Sequence, residues 1–452
     1  VTTNTRRTVR LGAGSGFSGD RIDPAEKLAR DGELDYLIFE CLGERTVAAG
    51  NARRLDNPET GYDTLLGARM KAVLPHTLRH RTAIVTNGGA ANPLAAAHLV
   101  TRIAGSVTDR SVRIAAVTGD DVLAAARALD PVVWETGKRL SAHTEPLVSA
   151  NAYIGADAVI PALEAGADIV ITGRLSDPSL YVAPLAHEFG WNLDDAATIG
   201  AGTAVGHLLE CAGQLTGGYF ADPVTKPVPG LSDLGFPYAD VADDGSAVFG
   251  KLDGSGGILN PRTCTEQLLY EVGDPTSYLT PDVTADFGQV EFTSVGKDRV
   301  AVAGATGRTR PDDLKVTLGF RSGWSGEGQI SYAGPRAYER ARLAADVVTA
   351  RLVTVHGFDP DATTVEFIGT GASFRGLATD PVTPEVRVRI TARTNSADTA
   401  DIVGWEVESL YTNGPAGGGG ARRSRSEVLA IRSTSIPRAS VHTEVHITEV
   451  SK

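Results

Sequence analysis

Over residues 1–285 apolar and polar positions recur in one order: a short apolar run, a glycine-rich or polar turn, then a helix announced by an acid or amide followed by proline. TVRLGAG leads through GFSGDRI to Asp23-Pro24-Ala25-Glu26, TAIVTNGGAA leads to Asn92-Pro93, and ADIVITGRLS leads to Asp177-Pro178. At each junction the Asp or Asn suits the helix N-cap, and proline suits the first helical position, where no amide donor is needed. DYLIFECL and VRIAAVTGDD add two strands rich in Val, Ile and Leu. This alternation predicts an α/β fold with a doubly wound, mainly parallel sheet and ligands gathered at the carboxyl ends of its strands.

Around Asp286 the pattern changes to alternating strands, VEFTSV, RVAVAGA, LKVTLGF and QISYAG, with few helix signals between them. A helix over 337–353, strands VEFIGTG and EVRVRITAR, a helical stretch over 397–411, the loop NGPAGGGGARR and a strand near VLAIRSTSI follow. The expected organisation is an α/β ligand-binding and catalytic domain over 1–285 and a smaller α+β domain over 286–452.

Composition narrows the partners. The 452 residues carry a net charge of −12 and show no dense Lys/Arg run, the best exception, Ala421-Arg422-Arg423-Ser424-Arg425, being short, which argues against nucleic acid and anionic membranes. Cys41, Cys211 and Cys264 are odd in number and lack CxxC spacing, so neither a disulfide framework nor a thiolate zinc site is indicated. No apolar run reaches the roughly 18 residues of a membrane span. The start VTTNTRRTVR lacks the apolar core of a signal peptide. The expectation is a cytoplasmic protein with a small-molecule substrate, free to form a homo-oligomer.

Several strand ends carry chemistry. Gly14-x-Gly16-x-x-Gly19 matches a dinucleotide fingerprint, with Glu40 about 20 residues on, where a ribose-binding acid belongs. The capping-box pattern at Asp23-Pro24-Ala25-Glu26, however, starts the helix beyond the glycines, and Asp20-Arg21 puts a charge pair where bare amides should meet a pyrophosphate. A dinucleotide site, a loop for another ligand and a tight turn all remain open there. Glu40-Cys41-Leu42-Gly43-Glu44-Arg45 offers two carboxylates for acid and base work, or an Arg45–Glu44 ion pair beside a buried thiol. Asn87-Gly88-Gly89 offers amides for an oxyanion, or a packing turn. Asn151 and Tyr153 are candidate hydrogen-bond donors. Arg174, beside Asp177, can pair a carboxylate or phosphate, or a neighbouring acid. His207, Glu210, Cys211 and Gln214 share one helical stripe, which needs polar partners; Tyr219 and Asp222 end that helix. No second cluster with metal spacing accompanies the stripe, so no metal is expected.

At this point LGAGSGFSGDRIDPA, LDYLIFECLGERT, TNGGAANPLAAA, DIVITGRLSDPSL, GHLLECAGQLTGGYFADP, EQLLYEVGDPTSYLTPDV and NGPAGGGGARR, in order, resemble the acyclic terpene utilisation family, AtuA. The resemblance runs from Val9 to about Pro437. Longer members append a small ferredoxin-like domain, so this chain is expected to be the core without it. The resemblance implies a place in the breakdown of citronellol- or geraniol-like acids handled as CoA thioesters.

The combined expectation is a cofactor-independent lyase of the hydratase or dehydratase kind, acting next to the carbonyl of an acyl substrate, with CoA entering only as part of that substrate. Glu40, Glu44, His207 and Glu210 would move the proton. Asn87, Gly88 and Gly89 would stabilise the enolate, and Arg21 or Arg174 would hold an anionic end. Gly16, Asp20, Asn151, Tyr153 and Asp177 would complete the substrate walls. The alternatives are a hydrolase or acyl transferase with Cys41 or Cys211 as nucleophile, a dehydrogenase, and a non-catalytic acyl-binding subunit.

Overall fold

A computed structural model describes residues 7–373 and 383–450. The chain divides into two compact units, one of Val1–Thr144, Val148–Gly319 and Ile431–Lys452, the other of Glu145–Leu147 and Phe320–Ala430.

The first unit is mixed α/β, built on a large mixed sheet. Its central strands are β1 (Thr8–Gly16), β2 (Tyr36–Glu40), β3 (Ala83–Thr86), β4 (Val112–Thr118) and β5 (Ile169–Thr172). They lie in the order β1-β2-β3-β5-β4 and pair in parallel throughout. All five residues of β2 are buried, the pattern of a strand covered on both faces. The sheet then continues antiparallel. β6 (Pro237–Ala242), β7 (Ala247–Lys251), β8 (Glu291–Gly296) and β9 (Arg299–Ala303) extend it in the order β1-β6-β7-β9-β8, and β10 (Glu444–Val450) pairs antiparallel with β4 at the other edge. The expected mainly parallel sheet is therefore confined to the five central strands. Tight turns join β6 to β7 through Gly245 (φ +80°) and β8 to β9 through Asp298 (φ +50°), and connections that short permit only antiparallel pairing. VEFTSV and RVAVAGA thus belong to the first unit's sheet, beyond the change of pattern at Asp286.

Helices α1 (Asp23–Asp31), α2 (Glu44–Asp56), α3 (Leu66–His80) and α4 (Pro93–Val107) connect the first four strands, and α5 (Ser179–Phe189) and α6 (Ala196–Glu210) follow β5. α1, α3 and α4 pack side by side; α5 and α6 pack on each other and on β1. Of the three anticipated caps only Asn92 forms, its side chain accepting from Ala95 N at 3.3 Å. At α1 the N-cap is Ile22 and at α5 it is Pro178, neither with a side-chain cap. The capping box at Asp23 is therefore absent, and Asp177 is spent on Arg174 instead.

The glycines of β1 are packing glycines. A Cβ at Gly14 would lie 2.6 Å from the Phe39 ring, and one at Gly16 would lie 2.5 Å from the Cys211 carbonyl carbon. Neither has a positive φ.

In the second unit Trp324–Ala333 and Thr363–Ile368 flank Glu385–Thr394 in antiparallel pairing. Helices at Ala337–Thr354 and Ala397–Asn413, close to the expected ranges, cover a core that includes Ile330, Tyr332, Val386, Val388, Val403 and Val407. The expected glycine loop is shorter than its sequence, because a strand already begins at Gly418. Among the described residues no helix is long and apolar enough to cross a membrane.

Candidate functional site

The strand ends Gly16, Glu40 and Arg174 open into a cavity of about 1110 Å³ in the first unit. Of the expected residues it is lined by Gly16, Asp20, Arg21, Glu40, Glu44, Tyr153, Arg174, Asp177, His207 and Glu210. Asn87, Gly88, Gly89 and Asn151 do not line it. Large apolar side chains surround it, with Phe17, Trp134, Tyr219, Leu231 and Leu279 all exposed there.

The fingerprint loop fills its own anion position. Asp20 Oδ2 accepts the Gly16 amide at 2.9 Å and Oδ1 accepts the Arg21 amide at 2.8 Å, so the chain's own carboxylate takes the donors a pyrophosphate would use. Arg69, buried, donates to the carbonyls of Phe17 at 3.1 Å and Ser18 at 2.9 Å while pairing with Asp63 at 2.5 Å, and so holds the loop in place.

Glu40 ends β2 and is buried. Its Oε1 accepts the Leu42 amide at 2.6 Å and Asn87 Nδ2 at 3.0 Å. Burial, reinforced by the charge of Asp177, pushes its pKa well above the usual carboxylate range, with Arg174 opposing. Both protein hydrogen bonds fall on Oε1, so Oε2 is the oxygen left for a proton when the carboxyl is neutral. Asn87 in turn accepts the Cys41 amide at 2.7 Å through Oδ1. It positions Glu40 from behind, and the Gly88 amide is taken by Thr86 Oγ1 at 2.9 Å.

Arg174 is buried and heavily committed. It donates to the carbonyls of Leu42 at 2.7 Å and Leu175 at 2.9 Å and pairs with Asp177, while its guanidinium lies 4.6 Å from the centre of the Tyr153 ring. Glu44 opens α2 and pairs with Lys315 at 2.9 Å rather than with its neighbour Arg45; Tyr153 Oη donates to the same oxygen at 2.9 Å. Burial would raise the Glu44 pKa, but Lys315 prevails and holds it down at about 2. The two carboxyls of the Glu40–Glu44 segment are thus driven apart, Glu40 upward and Glu44 down to about 2.

On α6, His207 Nδ1 lies 2.9 Å from Glu210 Oε1 and Nε2 lies 3.1 Å from the Leu268 carbonyl. A carbonyl only accepts, so Nε2 carries a hydrogen and one further proton is shared between Nδ1 and Glu210. Burial raises Glu210 to about 7, with His207 opposing. Its Oε2 has no hydrogen-bond partner among the described residues. Cys211 lines the same wall, its thiol pushed up by burial and by Glu210. Cys41 lies outside the cavity against Arg69 at 3.2 Å, and burial raises it to about 12.

Asn151 is structural in position. It donates to Asp120 at 2.9 Å and accepts from Asn51 at 2.9 Å, and Asp120 also accepts the Arg174 amide at 2.8 Å. Lys315, Glu271, Tyr270 and Tyr278 line the cavity without having been expected there, and Tyr219 does so rather than merely ending a helix. Tyr219 (φ +62°) and Glu271 (φ +59°) are both left-handed, and Tyr219 packs edge-on against Tyr270 with ring centres 5.8 Å apart. Two non-glycine residues with positive φ flanking one cavity are a signal invisible without coordinates. Among the described residues no group of three or more His, Cys, Asp or Glu is arranged to hold a metal ion.

Fold and site together define a mixed α/β protein with a large cavity lined by exposed apolar side chains and by ionisable groups, several of them buried. A family model described as acyclic terpene utilisation family protein AtuA matches residues 9–447, and the chain belongs to that family. No curated protein and no solved structure matches the chain.

Proposed function

We propose that this protein is a cofactor-independent lyase that adds or removes water, or moves a proton, next to the carbonyl of an apolar acyl substrate, within the acyclic terpene utilisation its family is named for. The observation that carries this reading is Glu40. A carboxyl raised well above the usual carboxylate range by burial, with one oxygen free of protein hydrogen bonds, is suited to serve as hydrogen-bond donor and general acid. Glu210, poised near neutrality against His207, is the base. In the dehydrating direction Glu210 takes the proton next to the carbonyl, the C–O bond on the adjacent carbon breaks, and Glu40 protonates the departing oxygen so that water leaves. Hydration reverses each step.

Asn87 acts from behind Glu40, in place of the oxyanion role expected of it. Arg174 and Lys315 supply positive charge around the developing enolate, though each is already paired with an acid. The exposed Phe17, Trp134 and Leu279 suit a branched hydrocarbon chain. Arg21, at the surface, is the cation for an anionic end such as the phosphates of a CoA thioester. A cytoplasmic setting suits the three free thiols. Cysteine nucleophilic catalysis has less support, because Cys41 lies outside the cavity and burial keeps Cys211 a thiol.

The test is a thermal-shift screen of acyl thioesters, free acids and alcohols of branched chains, followed by turnover assays on the stabilising ligands and Glu40→Gln. Expected are a rise in Tm with acyl ligands, intact binding to the Gln variant and loss of its turnover. Full turnover by the Gln variant removes Glu40 from the chemistry; binding with no turnover by the unaltered protein leaves a non-catalytic acyl-binding role.

A further inference from the structure

A second cavity of about 780 Å³ lies in the first unit, lined by six cations: Arg10 on β1, Lys27 and Arg30 on α1, Lys251 at the end of β7, Lys297 in the β8–β9 turn, and Arg299 on β9. The lining also carries Asp31, Asp233, Asp253 and Asp298, and Asp240 pairs with two of the cations, so the excess over these acids is one positive charge, in a chain of net charge −12. Three of the cations are individually neutralised. Lys27 pairs with Asp233, Arg30 with Asp31 at 2.7 Å, and Lys251 with Asp298 at 3.5 Å. The other three are not. Arg10 and Arg299 share one carboxylate, Asp240, at 2.6 and 3.2 Å, and Lys297 makes no ion pair among the described residues.

The two guanidiniums are held in place by more than charge. Both lie over the buried Tyr238 ring, at 4.5 Å for Arg10 and 5.7 Å for Arg299, and Arg299 Nη1 donates to the Tyr238 hydroxyl at 2.8 Å. Gly250 leaves room for that ring, since a Cβ there would lie 2.7 Å from it. Arg299 keeps Nε without a partner among the described residues. The Lys251 side chain is only 4% exposed, and its ammonium is fixed on the Ser255 carbonyl at 2.8 Å. Arg10 spends Nε and Nη2 on Asp240 and Nη1 on the Gly32 carbonyl at 3.1 Å, so Arg299 Nε, the second hydrogens of the Nη atoms and Lys297 are the donors left, a set that fits the doubly charged, multi-acceptor oxygens of a phosphoryl group. Asp253, exposed and also lining the cavity, is the opposing charge.

We propose that this second cavity binds a small phosphorylated anion. The site stands apart from the reading of the first cavity, yet it is not remote. Leu231 lines the first cavity and Asp233 the second, and Arg21 grips the Leu231 carbonyl at 2.9 Å, so one short turn contributes to both.

Calorimetric titration of the whole chain at low salt with pyrophosphate, inorganic phosphate and adenosine 3′,5′-bisphosphate tests it. Expected is saturable pyrophosphate binding at one site, weakened by added salt and at least tenfold weaker in Lys297→Glu and in Arg299→Met. Tighter binding of the nucleoside bisphosphate than of inorganic phosphate assigns the site to a phosphate ester; the reverse assigns it to the free ion. Glu40→Gln should bind pyrophosphate like the unaltered chain, which separates this site from the first cavity. Absence of saturable binding, or affinity unchanged in Lys297→Glu, overturns the proposal; Lys297 is exposed and outside any ion pair among the described residues, so that variant remains informative even if Arg299→Met misfolds.

Discussion

His207 and Glu210, one helical turn apart, hold a single proton between Nδ1 and Oε1 across 2.9 Å, because the Leu268 carbonyl fixes a hydrogen on Nε2. The pair therefore exists either as imidazolium and carboxylate or as two neutral groups. Exchange between those two forms does not depend on pH, but loss of the shared proton, which leaves a carboxylate beside a neutral imidazole, does; Glu210, raised to about 7 by burial against the pull of His207, places that loss in the neutral range. Only the ionised carboxylate can take a proton from a substrate, so the proposed base strengthens as pH rises through about 7.

Turnover should accordingly rise between pH 6 and 8, and Glu210→Gln should lower it by about 10²–10⁴-fold. The glutamine can donate to Nδ1 and keep the helix packed, so its Tm should stay near that of the unaltered protein. A pH–rate profile of both proteins checks this. A flat profile across that range in the unaltered protein would exclude Glu210 as the base.

Lys315→Met should release Glu44. The folded pKa of Glu44, about 2, lies below the ordinary 4.5, so the pair contributes stability above about pH 4.5 that is lost as pH falls toward 2. Lys315 is 38% exposed, which limits the contribution to about 1 kcal/mol or less. Urea titrations should show the variant weaker at pH 7 and converging on the parent as pH falls to about 2. Equal stability at both pH values would mean that Lys315 serves only as packing over Tyr153.

What was legible in the chain was local. The junction Asn92-Pro93 declares its cap, and the stripe of His207, Glu210 and Cys211 follows from helical spacing alone. The strand ends carrying Glu40, Arg174 and Asp177 were readable because a parallel βα unit puts its carboxyl ends on one side. What escaped was whatever depends on a distant partner. Lys315 meets Glu44 across 271 positions, and nothing in LKVTLGF distinguishes its ammonium from a solvated one. Asn87 looked like an oxyanion donor because its spending on Cys41 and Glu40 cannot be seen in one dimension. Asp20 reads as an obstacle to a phosphate in sequence; in space it is the anion in that place.

Asp120 offers a test on the stability side. Burial raises its pKa to about 6 from an ordinary 3.8, the Arg174 amide and Asn151 opposing, and both accepted bonds fall on Oδ2. The folded state binds its proton more tightly than the unfolded chain, so stability falls as pH rises from 3.8 to about 6 and stays lower above it. Asparagine can keep Oδ1 where Oδ2 stands and carries no charge to bury. Asp120→Asn should therefore melt higher than the parent at pH 8, by the equivalent of about 2–3 kcal/mol at most, and the difference should close near pH 4. A variant that melts lower at pH 8 would show that the carboxylate, not the acid, is the form the fold prefers.

The glycines of the first loop can be tested one against another. In a dinucleotide loop all three of Gly14, Gly16 and Gly19 are needed, for the turn, the pyrophosphate and the helix. Here the demand is uneven. An alanine at Gly16 would push its Cβ to 2.5 Å from the backbone of Cys211, which cannot swing away, whereas at Gly19 the nearest atoms, at 2.7 Å, belong to the ring of Phe17, which is 58% exposed and free to turn. Gly16→Ala should cost about 1–3 kcal/mol, the range of overpacking against a fixed wall, and Gly19→Ala should cost little. Chemical denaturation of the two variants measures the contrast. A comparable loss at both positions would restore the view that the motif is a single conformational unit; the expected asymmetry makes Gly16 a contact between β1 and the backbone of Cys211, at the wall where His207 and Glu210 stand.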